Sequence, residues 1–108
     1  KPERYSYRAV ESLTAHGYEV VAVGRRSGKI GNVPILINIP LNEEIATITL
    51  YLNAENQKPF YDQILKLKPA RIIFNPGTEN PELFELAKAN GAEPVNACTL
   101  VMLSVGTF

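Results

Sequence analysis

Cysteine, histidine, long apolar runs and net charge are all scarce in this chain, and each scarcity closes off a class of protein. One cysteine excludes an intrachain disulfide framework, and one cysteine with one histidine cannot build a structural zinc site without carboxylates. No apolar run approaches the roughly eighteen residues of a membrane span. The first residues carry no signal-peptide pattern, so a reducing cytoplasm is the expected compartment and no membrane partner is expected. The formal net charge is zero, which argues against a non-specific nucleic-acid binder. No repeat, low-complexity stretch or linker divides the chain, and its 108 residues suit a single domain with its own core.

The zero balance is unevenly distributed. Residues 1–30 carry six cations (Lys1, Arg4, Arg8, Arg25, Arg26, Lys29) against three acids (Glu3, Glu11, Glu19), a balance of +3 that leaves −3 for the rest. A basic first third on a neutral domain points to a small polyanionic ligand more than to a nucleic-acid polymer.

Helical patterns alternate with short apolar runs. RYSYRAVESLTAH places Ser6, Ala9, Val10 and Leu13 on one stripe and stops at Gly17. YEVVAV (18–23) reads as a strand and GRRSGKIGNV as an irregular, glycine-rich loop. PILINIP (34–40), bracketed by prolines, suits a sheet edge. ATITLYL (46–52) alternates as a strand, with Ala46, Ile48, Leu50 and Leu52 on one face and Thr47, Thr49 and Tyr51 on the other. A second helix is expected from about Gln57 to Leu67, with Pro59 in its first turn and Phe60, Ile64 and Leu67 inward. RIIFN (71–75) has the continuous apolarity of a strand buried on both faces. A third helix opens with Asn80 as N-cap and Pro81 at N1 and closes at Asn90–Gly91. PVNAC (94–98) reads as a last strand, and TLVMLSVGTF as a helical turn or extended tail.

This alternation predicts a single-domain, doubly wound α/β fold with a parallel sheet. Ligands of such folds lie beyond the carboxyl ends of the strands, here the loops Gly24–Lys29, Tyr51–Asn53 and Asn75–Glu79. The chain opens on a helix, where a dinucleotide-type domain opens on a strand and a glycine-rich turn. We therefore expect that roughly ten to fifteen residues precede Lys1 in nature. Strands 18–23 and 46–52 would then flank a gap, or a segment donated by another chain.

The motifs narrow the chemistry. GRRSGKI (24–30) is not a triphosphate-binding loop: three residues separate Gly24 from Gly28 where four are needed, and Ile30 stands where a magnesium-binding hydroxyl belongs. Arg25, Arg26 and Lys29 after the second strand of the unit instead suit a phosphate on an adenosine ribose; the plain alternative is a solvated basic turn. NPGTENPEL (75–83) joins a strand end to a helix start, where free N–H groups attract anions or carbonyls, or simply cap the turn. Tyr51 ends a strand, with a ring suited to a base or a pantetheine arm, or to the core rim. His16, in a last helical turn, is expected to complement the helix dipole or to lie in solvent. Cys98 reads as a small hydrophobe, and no carboxylate pair is placed as acid and base.

Five separated blocks, in order, resemble the small CoA-binding domain proteins, relatives of the nucleotide-binding domain in the α subunit of succinyl-CoA synthetase. They are the first helix with Pro2, Arg4, Ser6, Ala9 and Val10, then HGYEVVAV, ATITLYLNAE, RIIFNPGTENPEL and NACTLVML. The resemblance covers essentially the entire chain and implies a Rossmann-like domain that binds coenzyme A across the strand ends. In that family the segment preceding Lys1 would be a strand ending in a Gly-Ala-Ser-like turn. By position, Pro2, Arg4 and Ser6 match the helix beside the CoA pyrophosphate, and Gly24, Arg25 and Arg26 the segment at the adenosine end. Tyr51, Leu52 and Asn53 match a strand-end wall, and Asn75, Pro76, Gly77 and Thr78 the turn facing the pantetheine arm. The family commonly has Asn-Pro where this chain reads Gly24–Arg25, and it supplies a ligand without a common reaction.

Three functions follow as expectations. The first is a module that binds coenzyme A or an acyl-CoA, a small-molecule nucleotide ligand, without catalytic residues of its own. It would act as a homodimer or beside a partner enzyme. The second is an NADP-binding reductase fragment, suggested by Arg25–Arg26 but lacking a Tyr-x-x-x-Lys pair, since Tyr61 and Lys66 stand one residue too far apart. The third is a structural or regulatory interaction domain with an empty pocket, which an exposed apolar TLVML segment would favour.

Overall fold

The computed structural model describes residues 2–108, with side chains from Tyr5 onward. Helix α1 (Pro2–Ala15) leads into β1 (Ala22–Val23), β2 (Gly28–Ile30) and β3 (Val33–Leu36), a small sheet of order β1-β3-β2. Strands β4 (Thr47–Leu50), β5 (Arg71–Phe74) and β6 (Glu93–Asn96) form a second sheet of order β4-β5-β6, parallel throughout. Between them run α2 (Ala54–Gln57), a 3-10 turn (Lys58–Phe60) and α3 (Tyr61–Lys66), then α4 (Pro81–Ala89); α5 (Thr99–Val105) follows β6.

The parallel sheet carries helices on both faces, the expected doubly wound arrangement. Leu50, Ile72 and Phe74 bury one face against Ile64 of α3 and Leu83 and Ala87 of α4. Side chains alternate along a strand, so Thr49 and Ile73 point the other way, where Thr49 meets Thr99 of α5. Strand β5 pairs on both sides, and Ile72, Ile73 and Phe74 are at most 1% exposed, which accounts for its unbroken apolar sequence. Burial of each such side chain contributes roughly 1.5–3 kcal/mol. At the opposite end of the sheet, Phe108 lies under the Arg71 guanidinium, 4.6 Å from its ring, and edge-on to Tyr18 at 5.0 Å. That cluster joins the start of β5 to the connection between α1 and β1.

Several boundaries depart from the sequence reading. The segment 34–40 is not an edge: β3 is the middle strand of its sheet. Pro34 is tolerated because the parallel ladder with β1 begins only at Ile35, one residue beyond it. The loop read as irregular contains β2, which pairs antiparallel with β3 through the two-residue turn Gly31–Asn32. Of the run 18–23 only Ala22 and Val23 are laddered, and among the described residues β1 and β4 do not pair with each other. The second helix begins three residues earlier than expected, capped by Asn53, and Pro59 tightens its middle into the 3-10 turn. The ends of α1 and α4 fall where the glycines place them, with Gly17 at φ 86° and Gly91 at φ 89°.

Candidate functional site

Parallel pairing puts the loops after β4, β5 and β6 on one edge of the sheet, and two buried carboxamides tie them together. Asn75, 2% exposed, ends β5. Its Nδ2 donates to the Leu50 carbonyl and to Thr49 Oγ1, both at 2.8 Å, and its Oδ1 accepts the Thr99 amide at 2.8 Å. The end of β4 and the start of α5 are thereby bound to one side chain. A Thr49–Thr99 hydroxyl contact of 3.0 Å closes the group.

The second carboxamide is Gln57, completely buried at the end of α2. Asn53 caps this helix through its side chain, which accepts the Asn56 amide at 2.9 Å, so the short turn directs Gln57 inward. Gln57 Nε2 donates to the carbonyls of Leu52 and Thr78, each at 2.8 Å, and Oε1 accepts from Asn80 Nδ2 at 2.9 Å. Asn80 also donates to the Tyr61 hydroxyl and caps α4 by accepting the Leu83 amide; Tyr61 in turn donates to Glu82. Every buried side-chain polar atom among the described residues has a partner. Satisfied networks of this kind rigidify their surroundings, because breaking one bond strands a buried polar group.

The residues singled out from the sequence fall into three groups. Tyr51 and Leu52 are half-buried and Asn53 is exposed in the segment after β4; Pro76 and Gly77 are exposed in the turn after β5. Asn75 and Thr78 are turned inward instead, with the Thr78 hydroxyl donating to the Asn75 carbonyl at 2.7 Å, so their side chains shape the turn. The Gly77 amide is already engaged by Glu79 Oε1 at 2.9 Å. Around the other sheet, Gly24 continues the ladder by donating to the Leu36 carbonyl, and a Cβ there would stand 3.2 Å from Ile35. Arg25 and Arg26 are exposed in the turn after β1, while Lys29 is exposed within β2. Ser6 is half-buried on α1; the side chains of Pro2 and Arg4 lie outside the described residues.

Two phenols are perturbed. Burial pushes the Tyr51 hydroxyl above its ordinary value, opposed by hydrogen bonding with Thr49 and Thr99 and reinforced by nearby Cys98. Burial likewise raises Tyr61, with Asn80 opposing and Glu82 reinforcing. Cys98 is half-buried immediately before α5. Among the described residues no group of three His, Cys, Asp or Glu side chains is placed to hold a metal ion. His16 is exposed at the end of α1, its Nδ1 2.7 Å from the Ser12 carbonyl. Gln57, Thr49 and Thr99 were not anticipated as site residues. The only sequence signal for Gln57 is its place four residues after a capping asparagine, beside a strand end.

Comparison with known proteins places this geometry in a family. The family model described as "CoA binding domain" matches residues 1–104. A solved structure of an uncharacterized protein is 52% identical, covering 100% of this chain and 89% of its own, with a TM-score of 0.94. A hypothetical protein from Pyrococcus horikoshii OT3 is 21% identical over 97% of this chain and 75% of its own, with a TM-score of 0.84. A Thermus thermophilus protein is 18% identical over 100% of this chain and 83% of its own, also at 0.84. The last two share the fold. No curated protein matches the chain.

Proposed function

Because this chain belongs to the CoA binding domain family, we propose that it binds coenzyme A or an acyl-CoA along the carboxyl ends of its strands. The family match over residues 1–104 carries the reading, and the loop geometry supports it. Tyr51, Leu52 and Asn53 and the Pro76–Gly77 turn follow neighbouring strands on one edge of the sheet, and the pantetheine arm would lie along them. Arg25 and Arg26 stand exposed after β1, where guanidinium groups are free to clasp the phosphates of the adenosine end. These loops hold the ligand without a chemical step of their own, for use by a second copy or a partner enzyme.

Native mass spectrometry of the purified protein tests this directly. Mass added by CoA or an acyl-CoA is the expected result, and the same spectrum reports whether the chain assembles. Recovery of NADP with no CoA species, or failure of added CoA to bind in a titration, overturns the proposal.

A further inference from the structure

We infer that Gln57 is a positioning residue for this site, acting through the backbone of its two walls rather than through the ligand. The inference takes its ligand from the CoA reading, while its structural half stands apart from it. Leu52 belongs to the wall after β4, and Thr78 closes the turn after β5. Their carbonyls accept the two protons of one carboxamide, each at 2.8 Å. The side chain is completely buried, and its oxygen is held by Asn80, the cap of α4. Both protons and the oxygen are therefore used, and the amide plane has one orientation that satisfies all three bonds.

Without this bridge the two walls would be joined mainly through Asn75, which reaches the end of β4 but not Leu52. The Leu52–Asn53 segment and the Gly77–Thr78 segment would each keep their local bonds and lose their fixed separation. A ligand lying between them would then have to order both loops on binding, and that ordering lowers affinity. Gln57 sets the spacing beforehand.

The experiment compares wild type with Gln57→Met, which keeps the volume and removes all three bonds, and with Gln57→Glu, whose buried carboxyl, protonated between the two carbonyls, still accepts from Asn80 but donates to one carbonyl at most. Ile72→Val serves as a control for loss of stability unrelated to the loops. Hydrogen exchange is read at the Thr78 amide, bonded to the Asn75 carbonyl, and the Asn56 amide, bonded to the Asn53 side chain. CoA affinity is measured by titration under conditions where every variant is folded. Faster exchange at both amides in the Gln57 variants, with CoA affinity about tenfold weaker and unchanged in Ile72→Val, is the expected result. Unchanged exchange at both amides, or an equal loss of affinity in Ile72→Val, overturns the inference. If the wild type takes up no CoA, the proposed function falls, and exchange alone decides the role of Gln57. Should Gln57→Met fail to fold, Gln57→Glu carries both measurements.

Discussion

Arg25 and Arg26 are exposed and take no part in the buried network, so their substitution bears on ligand more than on fold. A guanidinium holds a phosphate through two parallel charge-assisted bonds, each contributing roughly 1.5–3 kcal/mol, or about ten- to a hundredfold in affinity. The chain should therefore bind CoA more tightly than dephospho-CoA, with the gap shrinking as salt rises. Arg25→Ala or Arg26→Ala should narrow the gap and leave dephospho-CoA binding nearly unchanged. Equal wild-type affinities for the two ligands would reduce the basic turn to a solvated one. Tyr51 gives a second test at this scale. Burial raises its phenol, so the folded chain keeps a proton that the unfolded chain releases near pH 10. Its contribution is fully present below that pH and is lost as pH rises through the higher folded value. Urea midpoints measured from pH 8 to 11 should fall less steeply in Tyr51→Phe, with the remaining slope carried partly by Tyr61. Parallel declines in the two proteins would remove Tyr51 from the account.

The hairpin β2–β3 shows how a local element escapes a composition-based reading. Three glycines in GRRSGKIGNV read as irregular backbone, yet only Gly31 has positive φ in this stretch, at 60°. Gly31–Asn32 is the two-residue turn between Ile30 and Val33, with the positive φ at its first central position as a type II′ turn requires. Gly31→Ala meets no atom within 4 Å, so its cost is backbone strain alone, about 1–3 kcal/mol. Gly28→Ala places its Cβ 3.7 Å from Ile35, an ordinary contact, and should change stability by less than about 0.5 kcal/mol. Urea unfolding of the two variants separates these expectations, and equal losses would count against the turn. Elements whose signal is local or purely apolar were legible: RIIFN from its unbroken burial, and α4 from Asn80 and Pro81. That residues 51–53 and 75–79 follow neighbouring strands on one edge of the parallel sheet was legible too. The inward turn of Asn75 and Thr78 and the bridging role of Gln57 were not. A carboxamide at a strand end carries the same local pattern whether it faces a ligand or a neighbouring loop; only the paired backbone decides.

Across the whole molecule the two sheets are unequal. In the parallel sheet β5 is laddered on both sides and its side chains are buried on both faces, whereas among the described residues β1 contributes two residues, laddered on one side only. Val21 and Val23 are 39% and 42% exposed, so the run around β1 has little burial to hold it. Local opening free energies follow such differences, from near zero at sparsely packed segments to the full unfolding free energy in a core strand. The amides of Ile72 and Ile73 should therefore exchange only through global unfolding, and Val23 through local opening. The two routes differ in the surface they expose, and denaturant sensitivity scales with that surface. Native-state hydrogen exchange in rising, sub-denaturing urea should accelerate steeply at Ile72 and Ile73 and stay nearly flat at Val23. Bound CoA adds a further criterion, since a ligand held by the loops of the parallel sheet stabilises the folded state by mass action. It should slow exchange at Ile72 and Ile73 by the full factor 1 + [CoA]/Kd, and at Val23 only as far as Arg25 and Arg26, two and three residues on, share the ligand. Matching urea slopes at all three amides would mean that the sheets open as one unit and that the division between them has no energetic consequence.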